Sequence, residues 1–368
     1  MASGESIGRA RERKAFFVLC AALTGFWAFI FAISIKGLAF AEPGGFPAFY
    51  GAARLARANL PELYNIALQN VFHPDNHGTG YFFHLPYEAL LLIPLSYLAQ
   101  VPAFLVWSAL NLGCLYWSAR ILKRHFPHFG VLVPFAFAPT MCMLANGQDT
   151  AIITLIVAIG LDQFARGRDI SSGAVLALGL FKFPLIVPLV AVLCFRHRRL
   201  LAGFAGASIP ILFACWAMVG TQGIREYISM TRVTDAKENP LILCCLRGLV
   251  GAISGGSYPA VCIGLSVSLL VVAALVRVSR VSFYCIGILV TMLVCWHCHL
   301  YDAVFLIVPM AWLLESEVKW ARWSVILLLI ATPALLFLPF EVYLLAAAVL
   351  LGLGLLFTPK VRRQVLAA

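Results

Sequence analysis

Of 368 residues, 62% are hydrophobic and 12% charged, with a net charge of +11, against roughly 45–50% apolar and about 25% charged in soluble domains. No soluble fold of this length has an interior for so much apolar surface, whereas lipid tails accept it around helices. The excess of basic residues does not point to nucleic acid, because it falls in short clusters beside apolar runs rather than in one patch.

Apolar runs that read as membrane segments lie near 15–37, 86–99, 102–120, 129–145, 150–165, 173–195, 200–219, 259–276, 281–298, 301–314, 323–338 and 341–357. Spans need about 20 residues, and some of these runs are short or carry proline (Pro94, Pro184, Pro188, Pro309). The expected fold is an all-α polytopic membrane protein of eleven to thirteen helices, about twelve, forming a single integral domain over 1–368. The first run is too long for the h-region of a cleavable signal and reads as a span. Basic clusters at Arg9, Arg11, Arg13 and Lys14, at Arg196, Arg198 and Arg199, at Arg277 and Arg280, and at Lys360, Arg362 and Arg363 place both termini in the cytoplasm of a bacterial inner (plasma) membrane. Arg120, Lys123 and Arg124, and Arg166 with Arg168, fit twelve full spans less well and leave room for a re-entrant early segment.

Two stretches between spans are long, 38–85 and 220–258, and counting spans puts both outside. In the first, Phe46, Phe49, Tyr50 and Ala53 follow an i, i+3, i+4, i+7 pattern with Arg54 and Arg57 on the other side. That predicts a short amphipathic helix lying on the membrane or on the bundle. Pro47 suits its first turn, and Pro61 opens a second helix through Glu62 and Tyr64. The second stretch carries Arg225, Glu226, Arg232, Asp235, Lys237, Glu238 and Arg247. The polar patch from His297 to Asp302 falls at the same end, so three polar elements are expected on one face. The eleven cysteines lie mostly inside apolar runs as small buried hydrophobes, although vicinal Cys244 and Cys245 near an outer loop are a candidate redox pair.

Charges inside apolar segments cost about 2.5–3.5 kcal/mol each on insertion scales. Lys182, in Leu180-Phe181-Lys182-Phe183-Pro184, therefore needs a partner, either an anion such as a lipid phosphate or a neighbouring carboxylate. Asp302 with His297 and His299 can bind a phosphate, shuttle a proton or simply mark a polar boundary. Asn146-Gly147-Gln148-Asp149 opens a span, where Asn or Asp serves as a cap. Glu88, just after Pro86, sits in a first helical turn and faces the helix dipole. No Asp-x-Asp metal motif of nucleotide-sugar enzymes occurs.

The ordered set of motifs is more specific than any one of them: Phe46-Pro47-Ala48-Phe49-Tyr50-Gly51-Ala52-Ala53-Arg54, Leu63-Tyr64-Asn65, His84-Leu85-Pro86-Tyr87-Glu88, Trp107, Gly147-Gln148-Asp149, Gly179-Leu180-Phe181-Lys182-Phe183, Leu246-Arg247-Gly248-Leu249, and His297 five residues before Asp302. In this order, over about residues 15 to 315, the chain resembles glycosyltransferase family 87. The resemblance implies a GT-C-like bundle with short amphipathic helices in its first outer loop. It also implies an inverting sugar transfer, typically of mannose, from a polyprenyl-phosphate carrier to a glycan, lipid or polymer acceptor at the outer leaflet. A lipid-linked donor is then the substrate, membrane lipids surround it, and neither a cofactor nor a metal is expected.

Carried over by motif, Lys182, His297, Asp302, Gln148, Asp149, Tyr50, Glu88 and Arg247 are the expected lipid-phosphate and substrate residues. The family's general base is an Asp immediately before the Phe of the first loop, where this chain has Gly45. Glu42, three residues earlier, is the expected substitute. Two other readings stay open: a lipid or small-molecule transporter, and a non-catalytic relative that binds polyprenyl lipid.

Overall fold

Apolar segments that lack strand-like alternation have only one way to satisfy their backbone in lipid, and they take it. The computed structural model describes residues 2–38, 45–73, 81–255, 258–316 and 318–335; it is 83% helix, with no strand among the described residues. In chain order the α-helices are α1 (Ala2–Leu38), α2 (Phe46–Asn59), α3 (Ile66–Phe72), α4 (Pro86–Leu92), α5 (Gln100–His125), α6 (Val133–Ala136), α7 (Ala138–Asn146) and α8 (Thr150–Ala165). They continue as α9 (Asp169–Ala177), α10 (Phe183–Cys194), α11 (Arg198–Lys237), α12 (Leu246–Ser254), α13 (Pro259–Leu275), α14 (Arg280–Val294), α15 (Ile307–Leu314) and α16 (Lys319–Leu335).

Among the described residues, three helices are long and apolar enough to cross a membrane: Glu12–Ile33, Gln100–His125 and Arg198–Ala236. A fourth arises if Asp169–Ala177 and Leu180–Cys194, bent by 69° at their junction, count as one broken span. Shorter apolar helices fill out the bundle at Thr150–Ala165, Pro259–Leu275, Arg280–Val294, Leu300–Leu314 and Ala321–Ala331. The described residues thus give three or four clear spans and a set of shorter apolar helices, and do not confirm the expected dozen. Proline is one reason: the run 86–99 becomes α4 plus a 3-10 turn containing Pro94, and the run 129–145 divides at Phe137, between Pro134 and Pro139, into α6 and α7. The run 341–357 lies outside the described residues.

The bundle is apolar on its outside as well as in its core. Phe17, Phe29, Leu110, Trp117, Ile209, Phe213, Val261 and Val272 are exposed, whereas a few charged residues, Glu88, Asp149, Lys182 and Asp302 among them, are buried. So much exposed apolar surface makes this a membrane protein. Glycine brings α9 and α11 into direct contact: a Cβ on Gly173 would lie 2.0 Å from the Leu200 carbonyl oxygen, and one on Gly203 would lie 2.0 Å from that of Ile170. Small residues at such crossings are how helices pack closely in lipid.

The first long loop is helical as its periodicity implies, but more deeply set than an interfacial helix. In α2, Phe46, Phe49, Tyr50 and Ala53 are buried, and so are Ala48, Gly51, Ala52 and Leu55 on other faces. The helix thus lies within the bundle. Pro61 starts only a 3-10 turn, Leu60–Glu62. The next helix, α3, begins at Ile66, because the Asn65 side chain caps it by accepting from the Ala67 and Leu68 amides. Cys244 and Cys245 are buried, so they are not accessible as a surface redox pair.

Candidate active site

A cavity of about 690 Å³ opens where four chain breaks meet. These are the start of α2 (Gly45, Ala48, Phe49), the segment before α4 (Tyr81 to His84), the α9–α10 bend (Phe181 to Pro184) and the α14–α15 connection (His297, His299 to Asp302). The end of α11 adds Thr231, Thr234, Asp235 and Glu238. Gly147 takes a left-handed conformation (φ 61°) and ends α7, returning its amide and that of Gln148 to the Leu144 and Met143 carbonyls. In α11, Gly220 (φ 66°, ψ −178°) interrupts the helix and turns its second half toward the site.

At the base of the cavity lies a buried charge cluster. Lys182 Nζ is 2.7 Å from Asp149 Oδ1, 2.8 Å from Asp302 Oδ1 and 2.8 Å from Thr150 Oγ1. Three oxygens match the three N–H bonds of the ammonium, which leaves none for an external anion. Thr150 Oγ1 donates in turn to Asp302 Oδ1 at 3.0 Å, and Asp302 Oδ2 accepts from the His299 amide at 3.0 Å. Beside this group, His84 Nδ1 lies 2.5 Å from Glu88 Oε2 and 3.2 Å from Asp149 Oδ2. Burial alone would lower the His84 pKa, but the Glu88 and Asp149 carboxylates more than reverse it and hold it well above the usual imidazole range. One ligand atom each from His84, Glu88 and Asp149 fall within 4.8 Å of one another, the one such set among the described residues.

A second network includes the wall residues Asp235 and His297. Asp235 Oδ1 accepts from Arg247 Nη1 (2.5 Å), Trp296 Nε1 (2.9 Å) and His297 Nε2 (2.9 Å). Glu238, also in the wall, has His299 Nε2 at 3.9 Å. Burial raises the Glu238 pKa above the usual carboxylate range, with Arg247 opposing and Asp235 adding to it. Burial lowers His297 and takes His299 down to about 4, so both rings are neutral near pH 7. They meet a substrate as hydrogen-bonding groups rather than as cations.

Of the residues singled out by sequence, Lys182, His297, Asp302 and Gln148 line the cavity. Asp149 and Glu88 sit behind them through Lys182 and His84. Asp149 occupies the cap position of α8 without capping it, its side chain being directed to Lys182. Tyr50 is elsewhere: its hydroxyl donates to the Leu98 carbonyl at 2.6 Å. Arg247 does not line the cavity and acts through Asp235. Glu42 lies outside the described residues. Gly45 does reach the cavity, but an added Cβ would stand 2.2 Å from the Asn146 carbonyl oxygen. Residue patterns alone did not single out His84, Thr150, Asp235 or Glu238 as site groups. The signals present were His84 four residues before Glu88, and two acids in a long interhelical stretch. Cys295 and Cys298, a Cys-x-x-Cys pair, flank His297 and are buried.

No curated protein and no solved structure matches this chain. The family model for glycosyltransferase family 87 matches residues 82–296. That is more than half of the chain, and it takes in His84, Glu88, Asp149, Lys182, Asp235, Glu238 and Arg247. A membrane bundle with buried acids and bases gathered at one cavity is thus a member of glycosyltransferase family 87.

Proposed function

We propose that this glycosyltransferase moves a mannose-like hexose from a polyprenyl-phosphate carrier to a hydroxyl of a glycan, lipid or polymer acceptor. On this reading it works at the outer leaflet of a bacterial inner membrane, in a GT-C-like bundle. The observation that carries the reading is the make-up of the cavity rim. Phe183 and Ile242 line the cavity and are also among the exposed apolar side chains of the bundle. A donor held there keeps its isoprenoid tail in lipid while its head reaches the polar interior. Phe49, Phe82 and Phe181 supply flat apolar walls for a sugar ring.

In the transfer, the acceptor oxygen bonds to the anomeric carbon as the bond from that carbon to the phosphate oxygen breaks. The phosphate leaves with the electron pair, and the acceptor proton passes to a carboxylate. Glu238 is the wall carboxylate suited to this. Asp302 is tied to Lys182, Thr150 and the His299 amide, and Asp235 is held by three donors, two of them from ionisable side chains. The raised Glu238 pKa makes it a stronger base than an exposed carboxylate. Glu42 is the competing candidate from the first loop. The non-catalytic reading keeps one specific support, the crowding at Gly45.

Purified protein given polyprenyl-phosphate mannose and a mixed lipid acceptor pool tests all three. Glu238→Gln is expected to lower transfer by roughly 10²–10⁴-fold, the usual share of a general base, while Glu42→Gln leaves it largely intact. Because the base must be ionised and burial raises its pKa, activity falls on the acid side at a higher pH than for an ordinary carboxylate. Full activity in Glu238→Gln with loss in Glu42→Gln would move the role to Glu42. No transfer by the wild type with any acceptor would favour the lipid-binding reading.

A further inference from the structure

The set His84, Glu88 and Asp149 has features that an ordinary ion-pair network lacks. Glu88 is 4% exposed and Asp149 0% exposed, yet Glu88 Oε1 and Asp149 Oδ2 have no hydrogen-bond partner. Asp149 Oδ2 is 3.2 Å from His84 Nδ1, but that nitrogen is already committed to Glu88 Oε2 at 2.5 Å. A buried carboxylate oxygen without a partner, beside one with only a long and shared contact, is costly and calls for an explanation. The charges of the wider cluster point the same way. Glu88, Asp149 and Asp302 face Lys182 and one imidazole. Three acidic groups thus gather around two basic ones in a buried cluster.

We infer that His84, Glu88 and Asp149 form a binding site for a divalent transition-metal cation at the edge of the cavity. The three ligand atoms lie within 4.8 Å of one another, and one imidazole nitrogen with two carboxylates suits zinc or manganese better than calcium or magnesium. The supports are already in place. Lys182 holds the other oxygen of Asp149, and the Tyr64 hydroxyl donates to the His84 carbonyl at 2.6 Å. The imidazole is enclosed by Phe49, Phe82 and Phe181, with ring centroids 5.2, 5.6 and 6.1 Å away. Such outer partners orient metal ligands. Three protein ligands leave coordination positions open, and since His84 itself lines the cavity, those positions are within reach of a molecule bound there.

The inference does not rest on the donor or acceptor, because its test reads metal content and no turnover. Full-length protein in detergent is stripped with a chelator, reloaded with Zn²⁺ or Mn²⁺, passed through gel filtration and measured by elemental analysis, with Mn²⁺ followed also by electron paramagnetic resonance. About one ion per chain is expected, together with a rise in unfolding temperature on adding metal. Glu88→Gln, nearly isosteric, is expected to weaken binding by at least roughly tenfold. Asp149→Asn should do the same, and if it fails to fold, Glu88→Gln and His84→Gln decide. His128→Ala, at the partly exposed His128–Glu315 contact, is the control and keeps the ion. Substoichiometric metal in the wild type at every concentration tried, or equal retention by Glu88→Gln, overturns the assignment.

Discussion

Lys182 carries the heaviest electrostatic demand of any residue in the site, and its surroundings decide what it can do. An ammonium with Asp149, Asp302 and Thr150 oxygens at 2.7–2.8 Å is part of the protein's own charge balance. Removing one partner of a buried pair leaves charge uncompensated and costs about 3–5 kcal/mol. Lys182→Met is therefore expected to lower thermal stability strongly, with part of the loss recovered in Lys182→Met/Asp302→Asn, where one stranded carboxylate is neutralised. Unchanged stability in Lys182→Met, with the loss confined to donor KM, would instead show a lysine free to hold phosphate. The need of Lys182 for a partner was legible in the sequence, since a lysine in an apolar run demands one. Which partner was not, because Asp149 is 33 positions away and only the bend between α9 and α10 brings the two together. His84 was hidden for a related reason: its value depends on Asp149, which no local pattern links to it.

Between elements, the junction of α2 with the α7–α8 turn sets the shape of the cavity floor. Backbones meet there on both sides of one contact. A Cβ at Gly45 would strike the Asn146 carbonyl oxygen at 2.2 Å, and one at Gly147 would lie 2.4 Å from Phe46 Cβ. Trp107 Nε1 fastens the same turn by donating to the Gly147 carbonyl at 2.7 Å. Gly147 adds a positive φ of 61°, so Gly147→Ala is expected to be destabilising on two counts, by more than about 1 kcal/mol. Gly113→Ala, within α5 and with nothing within 4 Å of its added Cβ, should be neutral or stabilising by up to about 1 kcal/mol. Gly45→Asp is expected to destabilise rather than restore the family's aspartate. Equal unfolding temperatures for Gly147→Ala and Gly113→Ala would show that the contact has room to relax. The helical period of Phe46, Phe49, Tyr50 and Ala53 made α2 legible, but its depth was not. Burial of the opposite face at Ala48 and Leu55 depends on neighbours that periodicity does not name.

For the whole molecule, the open physical question is which side of the membrane the cavity faces, and α11 ties the answer to charge. Residues 198–220 are helical up to the break at Gly220. At 1.5 Å per residue that is about 33 Å, close to the thickness of a bilayer core. The two ends of this stretch are therefore expected on opposite sides. The first end carries Arg196, Arg198 and Arg199, which favour the cytoplasm. The other continues through 221–238 to Asp235 and Glu238 in the cavity wall, so the cavity is expected to open on the outer side. Ser229 and Arg199 are both exposed and report on the two ends. In intact spheroplasts a membrane-impermeant maleimide should label Ser229→Cys but reach Arg199→Cys only after lysis, each read above the labelling of the unchanged chain. The reverse pattern would put the cavity in the cytoplasm and remove the case for an outer-leaflet donor. It would leave family membership, the charge cluster and the metal inference standing, since none of those depends on orientation. Labelling of both without lysis would mean that α11 does not cross, and the first half of the helix would then have to lie along the bilayer with Ile209, Phe213 and Trp216 as its lipid-facing side.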